Sequence, residues 1–204
     1  MAAELLDWAK DVEMGRVQPS QEQAQAHIQQ LVASLYDDQT RAEAAEGIHS
    51  IVDTPNVAVG AALAAAMPAV FSGIVACLED DSEGMQRWGE LAASRLADSP
   101  HAHVATAVSE ALPNVLDDLA ARLQTGRALD TAQVMQVLTY ITGTALANVC
   151  SELSDAQLAN IKAALGACCA GEDGVLANSA DQVLLALAEG QQVGSDGTSD
   201  EEDW

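Results

Sequence analysis

The chain has 204 residues, with 31 Asp and Glu against 8 Lys and Arg, a formal net charge of -23. That charge repels phosphate backbones and anionic bilayers, which argues against nucleic-acid and membrane-surface binding and makes a basic protein partner the natural inference. Apolar residues are 49% of the chain but aromatics only 3%, so the core is expected to be Ala, Leu and Val packed as helices, with no alternating runs that would predict a sheet.

Residues 2–14 place Leu5, Leu6, Trp8, Ala9 and Val12 at helical spacing. They predict a capping helix, with Trp8 a lid over the first repeat face. This acidic stretch lacks the apolar run of a secretory signal and the basic character of a mitochondrial one. The expected location is cytoplasmic, with nuclear or ciliary left open. Gly15 is placed to stop that helix and Pro19-Ser20 to start the next, so residues 1–19 read as cap plus linker.

From residue 20 the pattern is helix, polar turn, helix. The first helix turns Ala24, Ile28, Leu31, Val32 and Leu35 inward, and Asp37, Asp38 and Gln39 make the turn. The second carries Ala42, Ala45, Ile48 and Val52. His27 and His49, far apart in sequence, read as surface or boundary histidines. Pro55 and Pro68 bracket an Ala-rich run, and a Pro is tolerated in a first helical turn; this predicts a short helix followed by a longer one opening at Pro68. Interrupted in this way, the run is too short to span a bilayer.

Glu79, Asp80, Asp81 and Glu83 crowd the next turn, but their spacing misses the ligand pattern of a calcium loop; a solvated turn is expected. His101-x-His103 opens a helix and would point its imidazoles apart, a poor metal site. Residues 111–123 and 131–142 predict two further helices, with residues 124–127 as their turn. Ser154-Asp155 starts another helix, and residues 175–187 form the last, ended by Gly190. Cys77, Cys150, Cys168 and Cys169 lie in apolar helical contexts without ligand spacing and read as core thiols.

Residues 190–204 turn abruptly to Gly, Ser and acid and predict a disordered tail. It holds five of the 31 acids, so the acidity belongs to the whole chain. Ser199 is followed by Asp200, Glu201 and Glu202 and suits an acid-directed kinase. Trp204, a bare aromatic after an acidic run, is a candidate docking group.

The pattern repeats. Ala66-Met67-Pro68-Ala69-Val70 recurs as Ala111-Leu112-Pro113-Asn114-Val115 at a spacing of 45, and residues 31–38 recur as 74–81 at 43. A period in the forties marks a helical solenoid whose units bury their faces by stacking. These residues resemble the armadillo/HEAT repeat, through the small-Leu-Pro opening and the ELAASRLADS helix end. The resemblance implies an all-α, right-handed α-solenoid of about four repeats over residues 20–189. It implies a three-helix unit whose third helix lines a concave face.

In armadillo importers that helix carries a recurrent Trp and Asn. Here the matching places hold Leu91 and Arg95, then Gln136 and Tyr140, and Trp88 is off by three residues; nuclear-signal binding is therefore not carried over. Partner contacts are expected at Arg95, Gln136, Thr139, Tyr140 and Trp204, with the polar Thr142 and Thr144 nearby. No Gly-rich phosphate loop, nucleophile elbow, His-Glu-x-x-His or Cys-x-x-Cys is present, so neither an enzyme nor a cofactor is expected. The expected function is a protein–protein adaptor or scaffold that holds a basic or helical segment. Two alternatives stand beside it. One is an exchange factor for the 70-kDa heat-shock chaperone, whose armadillo members open with a stretch that Leu5-Leu6-Asp7-Trp8 resembles. The other is a structural subunit of a cytoskeletal or ciliary assembly. The oligomeric state is left open.

Overall fold

Side-chain caps set where helices begin. The Ser20 hydroxyl accepts from the Gln23 backbone N–H while the Gln23 side chain accepts from the Ser20 N–H, and Ser154 and Gln157 repeat this capping box. Each box satisfies amide donors that a helix leaves unpaired at its start. Asn56 does the same work alone, its Oδ1 accepting from Ala58 N at 2.9 Å and Val59 N at 3.1 Å. At Gly15 the backbone takes φ +68° and stops the first helix, a conformation that glycine adopts without steric cost.

The computed structural model describes residues 2–124, 128–142, 153–170 and 174–195. Its regular elements there are all helices: α1 (Ala2–Glu13), α2 (Gln21–Leu35), α3 (Arg41–Ile51), α4 (Val57–Leu78), α5 (Glu83–Ala97), α6 (Ala102–Gln124), α7 (Ala128–Thr142), α8 (Asp155–Cys169) and α9 (Gly174–Ser195). The chain divides into two compact units, residues 1–115 and 116–204.

In residues 1–115 each helix stacks on the helix two places along: α1 on α3, α3 on α5, and α2 on α4. Odd and even helices therefore form two layers, joined by the hairpins α2–α3 and α4–α5. The core lies between the layers, with Ile28, Leu31, Leu35, Ile48, Leu63 and Phe71 almost wholly buried. Equivalent points recur at the expected interval, as α2 ends at Leu35 and α4 at Leu78. The turns repeat as well. Asp37 Oδ1 accepts from Gln39 N at 3.0 Å, and 43 residues on Asp80 Oδ1 accepts from Ser82 N at 2.9 Å. This is the all-α helical repeat that the spacing predicted, at two helices per repeat.

Close approach of the stacked helices needs glycine at one point above all. A Cβ on Gly73 of α4 would lie 2.6 Å from Leu35 Cβ in α2. Leu35 Cβ is fixed to its backbone and cannot swing aside, so the contact is available only to glycine.

In residues 116–204, α7 and α8 both pack on α9. The part of α6 in this unit bonds to α8, through Gln157 Nε2 to Asp117 Oδ2 at 3.3 Å and Gln124 Nε2 to Asn160 Oδ1 at 3.0 Å. Leu119, Val137, Leu138, Ile161, Leu165 and Val183 fill its interior.

Three expectations are corrected. The run bracketed by Pro55 and Pro68 is one helix of 22 residues with Pro68 inside it, and α6 likewise holds Pro113 inside. The two-helix reading of each stretch, and the three-helix unit, therefore fall away: burial along one continuous face outweighs the bond each Pro removes. The apolar run is thus long enough by length and composition to cross a bilayer, but half of it is buried within the fold, against α2, α3 and α5. Finally, Gly190 does not end the last helix, which continues to Ser195. Cys150, Thr144, Ser199 and Trp204 lie outside the described residues.

Candidate functional site

The odd-numbered helices carry a continuous row of paired side chains. On α3, Glu46, His49 and Asp53 stand three and four residues apart, so they share one face of the helix and of its C-terminal extension. Glu46 reaches α1, where Lys10 Nζ lies 2.7 Å from Glu46 Oε1. His49 and Asp53 reach α5. The His49 ring meets the Trp88 indole edge-on, with centroids 6.1 Å apart and planes at 64°, and Arg95 Nη1 lies 3.1 Å from Asp53 Oδ2. On α5, Trp88, Leu91 and Arg95 are likewise three and four apart. Leu91 is flanked by these two and is 37% exposed, a large apolar side chain open to solvent.

Charge shapes this face. Residues 1–115 hold 17 Asp and Glu against 5 Lys and Arg, and Lys10, Arg16, Arg41 and Arg95 are each held in an ion pair. Carboxylates thus outnumber cations more than three to one, an excess that favours cationic partners. Burial and then Arg95 lower the His49 pKa below its ordinary value, opposed in part by Glu13, Asp53 and Glu46. This favours the neutral imidazole.

The acidic turn is more than a solvated loop. Arg41, 12% exposed, donates through Nε to Leu35 O at 2.8 Å and pairs with Asp38 at 2.6 Å and Asp80 at 3.2 Å. It ties the α2–α3 turn to the α4–α5 turn, so Asp80 serves structure. His101 also departs from expectation. It precedes α6 rather than lying on it, and its ring comes within 5.6 Å of His103. In the Leu5-Leu6-Asp7-Trp8 stretch Leu5 is core, Asp7 is exposed, and Trp8 stacks on His27 with centroids 4.4 Å apart. His27 is held in turn by its Nδ1, 2.8 Å from Gln23 O.

The expected contact residues fall in different places. Arg95 belongs to residues 1–115, whereas Gln136, Thr139 and Tyr140 lie on α7 in the other unit. Gln136 and Thr139 are exposed and Tyr140 half-buried, with the Thr139 hydroxyl donating to Met135 O at 2.8 Å. Trp88, His49 and Asp53 were missed. Aligning Trp88 to a family position three residues away hid the plain signal that 88, 91 and 95 share one helix face.

A concavity of about 280 Å³ opens between α2 and α4, lined by Gln25 and Gln29 and by Ala62, Ala65, Ala66 and Ala69. It contains no ionisable group. Among the described residues no cluster of three or more His, Cys, Asp or Glu could hold a metal ion.

No family model matches the chain, and no curated protein matches it. Among solved structures it is similar to an engineered protein from a structural genomics consortium, at 16% identity over 93% of this chain and 92% of that one, TM-score 0.40. It is similar to a designed armadillo repeat protein at 14% identity, over 89% and 91% of the two chains, TM-score 0.38. A second engineered protein gives 13% identity over 90% and 92%, TM-score 0.38. The helical-repeat fold stands on this chain's own 43-residue spacing and on the stacking of each helix against the one two places along.

Proposed function

We propose that the chain is a non-enzymatic interaction module that holds a basic, partly apolar polypeptide segment along the α1–α3–α5 face. The observation that carries this reading is Leu91, exposed beside the Trp88 ring in a surface dominated by carboxylates. An aromatic ring next to an exposed aliphatic side chain is the composition of an interface anchor. The acidic surround supplies attraction and orientation for Lys and Arg on either side of that anchor. The groove between α2 and α4 offers no charge and so no comparable selectivity.

The test uses Trp88 as its own reporter. In a Trp8→Phe, Trp204→Phe variant, Trp88 is the remaining tryptophan. Titration with a Lys/Leu amphipathic peptide is expected to give a saturable fluorescence change. Leu91→Asp should weaken binding about tenfold, the effect of losing a central apolar anchor. A Glu/Leu peptide of the same length should give no saturable change. Equal affinity for the acidic peptide, or no loss in Leu91→Asp, would refute the reading.

A further inference from the structure

We infer that His49 makes this face pH-sensitive: its neutral imidazole admits a basic segment and its protonated form repels one. The inference rests on the proposed function, because it concerns the same surface. Its geometric basis is the position of His49 in the row, between Glu46 and Asp53 on its own helix and against Trp88 across the gap to α5. Any segment seated on Trp88 and Leu91 lies next to this ring.

The charged groups around it are few. From α5 comes Arg95, from α1 Glu13, and from its own helix and its extension Asp53 and Glu46. Lys10 on α1 is already bound to Glu46. Of the two even helices packed on α3, α4 carries Cys77 as its one ionisable side chain and α2 carries Glu22 and His27, the latter stacked on Trp8.

Above its pKa the ring is neutral, and Asp53 is shared with Arg95 alone. Burial and Arg95 hold that pKa below the ordinary histidine value, so the neutral form dominates at pH 7.5 and the charged form appears only as the pH falls below the ordinary histidine range. The imidazolium then adds a second cation beside Arg95 and draws on the same Asp53 carboxylate. An incoming Lys or Arg meets like charge and a carboxylate already engaged. At a partly exposed site a unit charge near 5 Å alters binding by about fivefold. Linkage makes the effect reciprocal: the bound basic segment must lower the His49 pKa further.

The experiment measures affinity for a histidine-free Lys/Leu peptide at pH 7.5 and at a pH below the midpoint of the His49 ring-proton titration, at fixed ionic strength, in the Trp8→Phe, Trp204→Phe protein. Circular dichroism at both values verifies folding. About a fivefold loss is expected at the lower pH, kept in His27→Gln and reduced to less than twofold in His49→Gln. A parallel measurement needs no His49 variant. The His49 ring-proton resonance, titrated with and without peptide, should move to a lower midpoint when the peptide is bound. An undiminished loss in His49→Gln, or an unmoved midpoint, overturns the inference while leaving the binding reading intact. Absence of peptide binding at pH 7.5 overturns both.

Discussion

Cys77 lies at the seam of α4 and α5, where a Cβ on Gly89 would come within 2.9 Å of its own Cβ. No solvent reaches it, and burial pushes its pKa up to about 12, with Arg41 opposing. Thiolate is the reactive form, so at pH 8 the folded protein keeps Cys77 inert. Cys168 and Cys169 are also raised, chiefly by burial, but both are only half-buried. Iodoacetamide at pH 8, read by peptide mass spectrometry, should label Cys168 and Cys169 in the native protein and Cys77 only after denaturant. Labelling of Cys77 at the rate of Cys168 would show that the α4–α5 seam opens readily. The linkage has a sign as well. The unfolded thiol ionises near its ordinary value of 9.0 while the folded one keeps its proton. The contribution of Cys77 to stability is therefore complete below about 9 and declines as pH rises from there toward 12.

At the scale of the element, α4 presents a conflict that the fold resolves. Pro68 sits in the helix interior, where it lacks an N–H and crowds the preceding turn, at a cost of about 3 kcal/mol. Its own carbonyl is engaged, accepting from Ser72 Oγ at 3.0 Å. The helix stays continuous because ten of its residues, Val59 to Leu78, are buried along one side. Pro68 itself faces solvent, so replacing it leaves the core untouched. Pro68→Ala should raise stability by about 1–3 kcal/mol in urea unfolding followed by circular dichroism. A loss instead would mean that the Pro-induced geometry is needed for packing on α2. The repeat was legible because turn acids and core aliphatics recur at a fixed interval, and stacked units demand that interval. The continuity of α4 was not legible, since a Pro in a first turn and a Pro in an interior turn look alike in sequence. The site was half legible: Arg95 was named, but its partners His49 and Asp53 come from a helix about forty residues earlier, and no local pattern announces that pairing.

For the whole molecule, charge is the influence most plainly visible in the sequence. With 8 Lys and Arg against 31 Asp and Glu, cations are far too few to balance the carboxylates, and the excess carboxylates repel one another. Exposed pairs such as Arg16–Asp11 and Arg95–Asp53 contribute about 0–1 kcal/mol each, too little to offset that repulsion. Salt therefore acts in opposite directions on folding and on binding. Raising NaCl from about 10 mM to about 150 mM shortens the screening length from roughly 30 Å to roughly 8 Å. Repulsion within the fold is then damped, and the thermal midpoint should rise by a few degrees, since about 1 kcal/mol corresponds to roughly 2–4 °C in a chain of this size. The same screening removes the long-range attraction for a basic peptide, whose affinity should drop about tenfold over that range. Scanning calorimetry and the Trp88 titration, run on one set of buffers, read the two trends together. A midpoint that falls with salt would mean that ion pairs, and not burial, hold the helices together. An affinity indifferent to salt would mean that the peptide is held by Trp88 and Leu91 without help from the acidic surface.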